Sequence, residues 1–303
     1  MSVTEQNKKN RLMLGQDNNA LTWLIIINAV VFTALLFIRL IYQMSSDTGL
    51  QTFQTQIEDW FALPAGGLKF LTRPWTIITY MFSHDNLWYL ISSLLWLWCF
   101  GYILQDIAGN NKLFPIYLYG GLVGGIIFMA AANLLPSLHT EVNNIWQTGA
   151  AAPVLAVAIA TTMLAPDYRI FPMLNGGIPL WVVTIIFISI DFGTIGIVNS
   201  AVILSHIAGG FTGFIFVKQL RRGNDLGLWM NKLSAWVNDL FNPEKKITPD
   251  QLYYKPTRKP YQKTLHVTQQ RLDEILDKIN QQGYQLLTED EKEFLKKASK
   301  EDL

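Results

Sequence analysis

The chain is short of cysteine and of charge, and both shortages narrow what it can be. Its one cysteine, Cys99, lies inside an apolar run. That thiol has no intrachain partner for a disulfide and cannot make a zinc site alone. Charged residues are 16% of the 303, against about a quarter in ordinary soluble domains. Net charge is +1, so no global field favours nucleic acid, and none is expected as a partner. No metal or cofactor pattern is present, and none of either is expected. A cleavable signal peptide is not expected, because the first apolar run has no small-residue cleavage site after it.

What the chain does have is apolar sequence in long runs, with charge gathered at its two ends; 50% of it is hydrophobic. A bilayer core about 30 Å thick needs roughly 20 apolar helical residues. Six segments approach that, at 21–42, 86–105, 112–135, 149–165, 178–198 and 200–218. Buried helices of a soluble bundle would show a polar stripe every third or fourth position. Leu24–Ile38 and Val154–Ala165 show almost none. The expected fold is therefore all-α, a polytopic bundle of six transmembrane helices in a lipid bilayer.

The fourth segment is short and alanine-rich, as suits a helix inside a bundle with close neighbours. Trp23, Trp75, Trp88, Trp181 and Trp229 lie near segment ends, the pattern of an aromatic belt. Lys8, Lys9 and Arg11 precede the first segment, and Lys218, Arg221 and Arg222 follow the sixth. Lys112 and Arg169 mark the second and fourth loops, while the third and fifth have no lysine or arginine. The positive-inside rule then puts both termini in the cytoplasm.

The chain divides into an N-terminal segment (1–20), a membrane domain (21–220), a connecting region (221–264) and a tail (265–303). In the connecting region Leu226, Trp229, Met230, Leu233, Trp236, Val237 and Leu240 recur at helical spacing. That stripe suits either the membrane surface or docking on the tail. Pro243, Pro249, Pro256 and Pro260 mark a linker. The tail reads as a small cytoplasmic helical hairpin. Leu272, Ile275, Leu276 and Ile279 form an apolar stripe, Gly283 breaks it, and Thr288 with Glu291 makes a capping-box pattern. A hairpin this small has little core, so it is expected to bind a soluble partner or to self-associate.

Ionisable groups at membrane depth are costly and call for a reason. His206 lies in the sixth segment, with Gly209 and Gly213 four apart on one face, a ridge that admits close backbone contact. The plainer account of His206 is a hydrogen bond to a backbone carbonyl. Thr148-Gly149-Ala150-Ala151-Ala152-Pro153 is a glycine-led turn into the alanine-rich helix, placed to meet that ridge. Packing alone is its plainer account. His84, Asp85, Tyr89, Ser92 and Ser93 gather at the start of the second segment, where interfacial anchoring would suffice.

Taken in order, these pieces resemble the rhomboid family of intramembrane serine proteases. Arg73-Pro74-Trp75-Thr76 and Tyr80-Met81-Phe82-Ser83-His84 resemble the entry to its second helix, and Trp96-Leu97-Trp98 with Phe100-Gly101 that helix's end. Gly120-Gly121 with Gly124-Gly125 resembles its third helix. His206-Ile207-Ala208-Gly209, with Gly213, resembles the histidine helix. The likeness covers residues 20–220, and the tail resembles a hairpin attached to some bacterial members. It implies a serine–histidine dyad and an oxyanion hole.

Carried over residue by residue, the base is His206, but the nucleophile position is Ala151 and the glycine after it Ala152. The oxyanion histidine is Tyr89 and the asparagine Ser93. A bracing glutamate is Gln105. His84 is retained. One isolated change would explain Ala151 but not Tyr89 and Ser93, so the departures read as coordinated.

Three functions follow as expectations. The first is a catalytically inactive pseudoprotease that binds transmembrane client proteins around His206, Tyr89, Ser93, Ala151, Ala152 and His84. The second is an active intramembrane serine endopeptidase using an unrecognised nucleophile, with Thr148 and Ser205 as the nearest hydroxyls by sequence. The third is a channel or transporter, for which His206 and Asp191 are few charged groups and no inverted repeat is evident.

Overall fold

A computed structural model of the chain describes residues 19–136, 138, 142–170, 176–195, 200–233 and 269–301. The chain forms two units, Met1–Phe241 and Asn242–Leu303. The stripe residues Trp236, Val237 and Leu240 and the linker lie outside the described residues, although 228–233 is helical.

The first unit is an all-α membrane bundle. Helix α1 (Ala20–Ser45) leads into an ordered connection with α2 (Gly49–Gln56), a 3-10 turn (Glu58–Trp60), α3 (Gly67–Thr72) and α4 (Thr76–Thr79). Then come α5 (Leu87–Ala108), α6 (Asn110–Leu134), α7 (Ala151–Leu164), α8 (Leu180–Ile195) and α9 (Ser200–Arg221). The six apolar segments are thus six helices, each within a few residues of its expected bounds. Four of them, α1, α5, α6 and α9, are long and apolar enough to cross a membrane, whereas α7 and α8 are shorter apolar helices. Asn19 and Asn86 start α1 and α5 as caps, their side-chain oxygens accepting from Leu21 and Thr22 and from Tyr89. Trp23, Trp75, Trp88, Trp181 and Trp229 are all exposed.

Close packing concentrates on α7, which is buried over most of its length between α6 and α9. Glycine makes this possible. A Cβ added at Gly209 would stand 2.3 Å from the Ala152 carbonyl oxygen, and one at Gly213 2.1 Å from that of Ala156. From the other side, a Cβ at Gly120 would meet the Ala156 Cβ at 2.3 Å. The ridge does meet the alanine-rich helix.

The connection between α1 and α5, which composition leaves undetermined, is organised by the Arg73-Pro74-Trp75 motif. Arg73 donates to the Asp59 carbonyl at 2.8 Å and covers the Trp60 ring, which stacks on Trp75. The following turn is pinned to α6: the Tyr80 hydroxyl donates to Gly121 O at 2.6 Å and the Tyr117 hydroxyl to Met81 O at 3.0 Å. Strand β1 (Leu63–Pro64) pairs with β2 (Trp146–Gln147), tying this connection to the segment before α7. At the far end of the bundle Gln105 donates to Asn19 (2.9 Å) and Asn110 (2.7 Å), bracing the starts of α1 and α6.

The second unit has helices Gln269–Gln282 and Glu289–Glu301, separated by Gly283 at φ +86. The capping box forms: Thr288 N donates to Glu291 Oε2 at 2.8 Å, and Glu291 N to Thr288 Oγ1 at 3.4 Å. Ile275, Leu287 and Ala298 are buried, while Leu276, Tyr284 and Leu286 remain exposed.

Candidate functional site

The site begins with a backbone constraint. Gly149 has φ +102, a region that costs an L side chain strain but not glycine. Nothing within 4 Å would obstruct a Cβ there, so the conformation alone calls for glycine. Its N–H donates to the Tyr80 carbonyl at 2.9 Å. The chain then turns through Ala150 into α7, so Ala151 is the first helical residue and its methyl faces a cavity of about 390 Å³.

That cavity brings together residues far apart in sequence. His84 comes from the turn before α5, Tyr89 and Ser93 from the start of α5, Ala151 from α7, and His206 from α9. Ala152 is the exception. It does not line the cavity; it is fully buried against Gly209 and beside Gly124. One helical residue is about 100° of rotation, which turns Ala152 toward the glycine ridges while Ala151 faces the cavity.

His206 is 5% exposed, and its Nδ1 lies 2.7 Å from Asp191 Oδ2 of α8. The backbone-carbonyl account of His206 is therefore replaced by a histidine–carboxyl pair. Asp191 is not a free pore charge. The signal available in the sequence was that it is the only acid in the fifth apolar segment. Among the described residues no hydroxyl is hydrogen-bonded to His206. Ser205, its neighbour, faces away and accepts from Gln147 Nε2 at 2.9 Å. Thr148 lines the cavity, and its hydroxyl donates to Asp85 Oδ1 at 2.6 Å. Tyr89 is half-exposed, and neither its side chain nor that of Ser93 makes a hydrogen bond among the described residues.

The rhomboid domain family model matches residues 71–222, half of the chain. The chain belongs to the rhomboid family. A second family model, of unknown function, matches residues 260–301 and so takes in the tail hairpin. A comparison with curated proteins returned no match. In this rhomboid, His206 and Asp191 form a hydrogen-bonded histidine–carboxyl pair, and Ala151 at the head of α7 carries no side-chain oxygen.

Beside the rhomboid cavity lies a second titratable group of residues. Glu58 is pushed up to about 7, first by burial and then by the Asp85 carboxyl, to which it is hydrogen-bonded; Arg39 opposes the shift and Asp59 adds to it. His84 is pushed down to about 4 by burial. Neither ring nitrogen has a well-formed hydrogen bond, and burial outweighs the nearby Phe82 backbone, which opposes the shift.

The two groups act on stability in opposite directions. Between about pH 6.5 and 4 the unfolded His84 binds a proton that the folded one refuses, so stability falls with acidification, by on the order of 3 kcal/mol in all. Glu58 holds its proton more tightly in the fold, so it penalises the fold above about pH 7, and that penalty fades towards pH 4.5. We expect a shallow pH dependence of the melting temperature in detergent. Glu58→Gln should raise it at pH 8 and steepen the acid-side fall. An acid limb unchanged by His84→Asn would contradict this account of His84.

Proposed function

We propose that this rhomboid-family membrane protein is a pseudoprotease that holds transmembrane client segments in the His206 cavity without cleaving them. The single observation carrying this is that the histidine–carboxyl pair and the cavity persist while the residue at the head of α7 is an alanine. Losing a nucleophilic serine costs on the order of 10⁶ in rate in a soluble protease. Both termini are proposed to lie in the cytoplasm of a bacterial inner membrane. The exposed Leu276, Tyr284 and Leu286 of the tail are proposed to recruit a soluble partner or a second copy.

A photoreactive residue at Ile190 or Val202, both on the cavity wall, should capture specific transmembrane proteins from native membranes, and capture should weaken in Asp191→Leu, which replaces a polar wall with an apolar one. Recovery of no specific client would remove the proposal. A second reading, an active protease with another nucleophile, draws on Thr148, whose hydroxyl lies on a carboxyl in the same cavity. It requires fluorophosphonate labelling that Thr148→Val abolishes.

A further inference from the structure

The cavity wall is chemically one-sided. Among its described lining residues it has two carboxyl groups, Asp85 and Asp191, and no lysine or arginine. Several hydrogen-bonding atoms there stand without partners. Gln147 is 3% exposed; its Nε2 is spent on Ser205, and its Oε1 is buried with no partner. His84 is 6% exposed with both ring nitrogens unpaired. Asp191 uses Oδ2 on His206, and among the described residues Oδ1 has no partner. The Gln147 and His84 atoms are sealed within the wall, whereas Asp191 lines the cavity and its Oδ1 is not sealed off, so Asp191 Oδ1 is the acceptor that a bound donor can reach.

Next to Asp191 the wall is aromatic. Trp96 packs on Phe187 with ring centroids 4.9 Å apart, and both line the cavity. Phe187 and Asp191 are four apart on α8, and so share one face of that helix. A carboxyl one turn beyond an aromatic pair offers a cation both a counter-charge and a ring face.

From this we infer that the cavity recognises a primary ammonium or guanidinium group, supplied by a lysine or arginine near the end of a client's transmembrane segment. The inference rests on the client-binding proposal and specifies the client. The free Asp191 Oδ1 selects against a quaternary ammonium, which has no N–H to give, and the carboxyls select against an acidic side chain. A lysine carries three donors and an arginine five, enough to meet Asp191 Oδ1 and keep others for water or the client's own backbone. A volume of about 390 Å³ lies within the usual range for a ligand site. A buried cation at membrane depth also needs a partner of this kind to be tolerated at all.

The test uses the full chain in vesicles of phosphatidylcholine and phosphatidylglycerol, with diazirine-bearing peptides of about 20 apolar residues. The peptides differ at one position, one turn from either end, which carries lysine, trimethyl-lysine, norleucine or glutamate. The lysine peptide is expected to be captured about tenfold better than the norleucine peptide, with trimethyl-lysine close to norleucine and glutamate lowest. Asp191→Asn, checked for an unchanged melting profile, should bring the lysine preference close to one.

Equal capture of lysine and norleucine peptides would overturn the cation inference and leave client binding standing. Capture of no peptide would remove both. Equal capture of lysine and trimethyl-lysine would overturn recognition through N–H donors. In a parallel arm containing phosphatidylethanolamine, loss of the lysine preference would assign the site to a lipid amine instead of a client side chain.

Discussion

The purified chain is expected to give no fluorophosphonate labelling and no cleavage of a transmembrane substrate, and Ala151→Ser is expected to restore labelling that His206→Ala then removes. The reasoning starts from what is left in place. His206 is held by Asp191 at 2.7 Å, and the Gly149 turn that presents position 151 is fixed by its backbone bond to Tyr80. A serine introduced at Ala151 enters a prepared position, since that side chain already faces the cavity with His206.

Turnover by the single variant should stay poor. Each missing oxyanion donor costs about 10²–10³, and the motif resemblance implies that Tyr89 and Ser93 take the places of two such donors. Adding Tyr89→His and Ser93→Asn should therefore raise the rate by a further factor on the order of 10². Ala152→Gly completes the reversion but touches the α7 packing, so its melting temperature must be followed separately. A folded quadruple variant that neither labels nor cleaves would mean that the cavity has drifted along with the lost serine.

The second large effect is on folding. Gly213→Val and Gly209→Leu should abolish the assembled bundle, read as loss of the cooperative melting transition in detergent. The atoms that a side chain would strike are backbone carbonyls of Ala156 and Ala152, at 2.1 and 2.3 Å. No rotamer change relieves a backbone collision, so α9 would have to leave α7. Inserting even a methylene into a packed core typically costs about 1–3 kcal/mol, and here a whole helix interface is at stake. Gly193→Ala on α8 is the control, because nothing lies within 4 Å of its added Cβ. A parent-like melt for Gly213→Val would refute this account of the ridge.

The sequence carried much of the fold openly. All six helices lie within a few residues of the apolar segments, because span length and the exclusion of charge are properties of a local window. The capping box at Thr288 and Glu291 was legible for the same reason, being a contact between residues three apart. The order inside the connection between α1 and α5 was not. It depends on Arg73 reaching Asp59 and Trp60, on pairing of Leu63–Pro64 with Trp146–Gln147, and on anchoring to α6 through Tyr80. Those contacts join residues from about a dozen to more than eighty apart, and no periodicity records them.

By itself the sequence determined that the chain lives in a membrane, that a histidine sits at depth, and that the head of the fourth span lacks an oxygen. Composition and residue identity suffice for each. Only the tertiary structure decided that Asp191 is the partner of His206, that Ser205 turns to Gln147, and that Ala152 packs while Ala151 faces the cavity. Each of those depends on how a helix is rotated about its own axis. For α7 and α9 that rotation is set by the glycine ridges meeting α7, a property of three helices together and of no single stretch of chain.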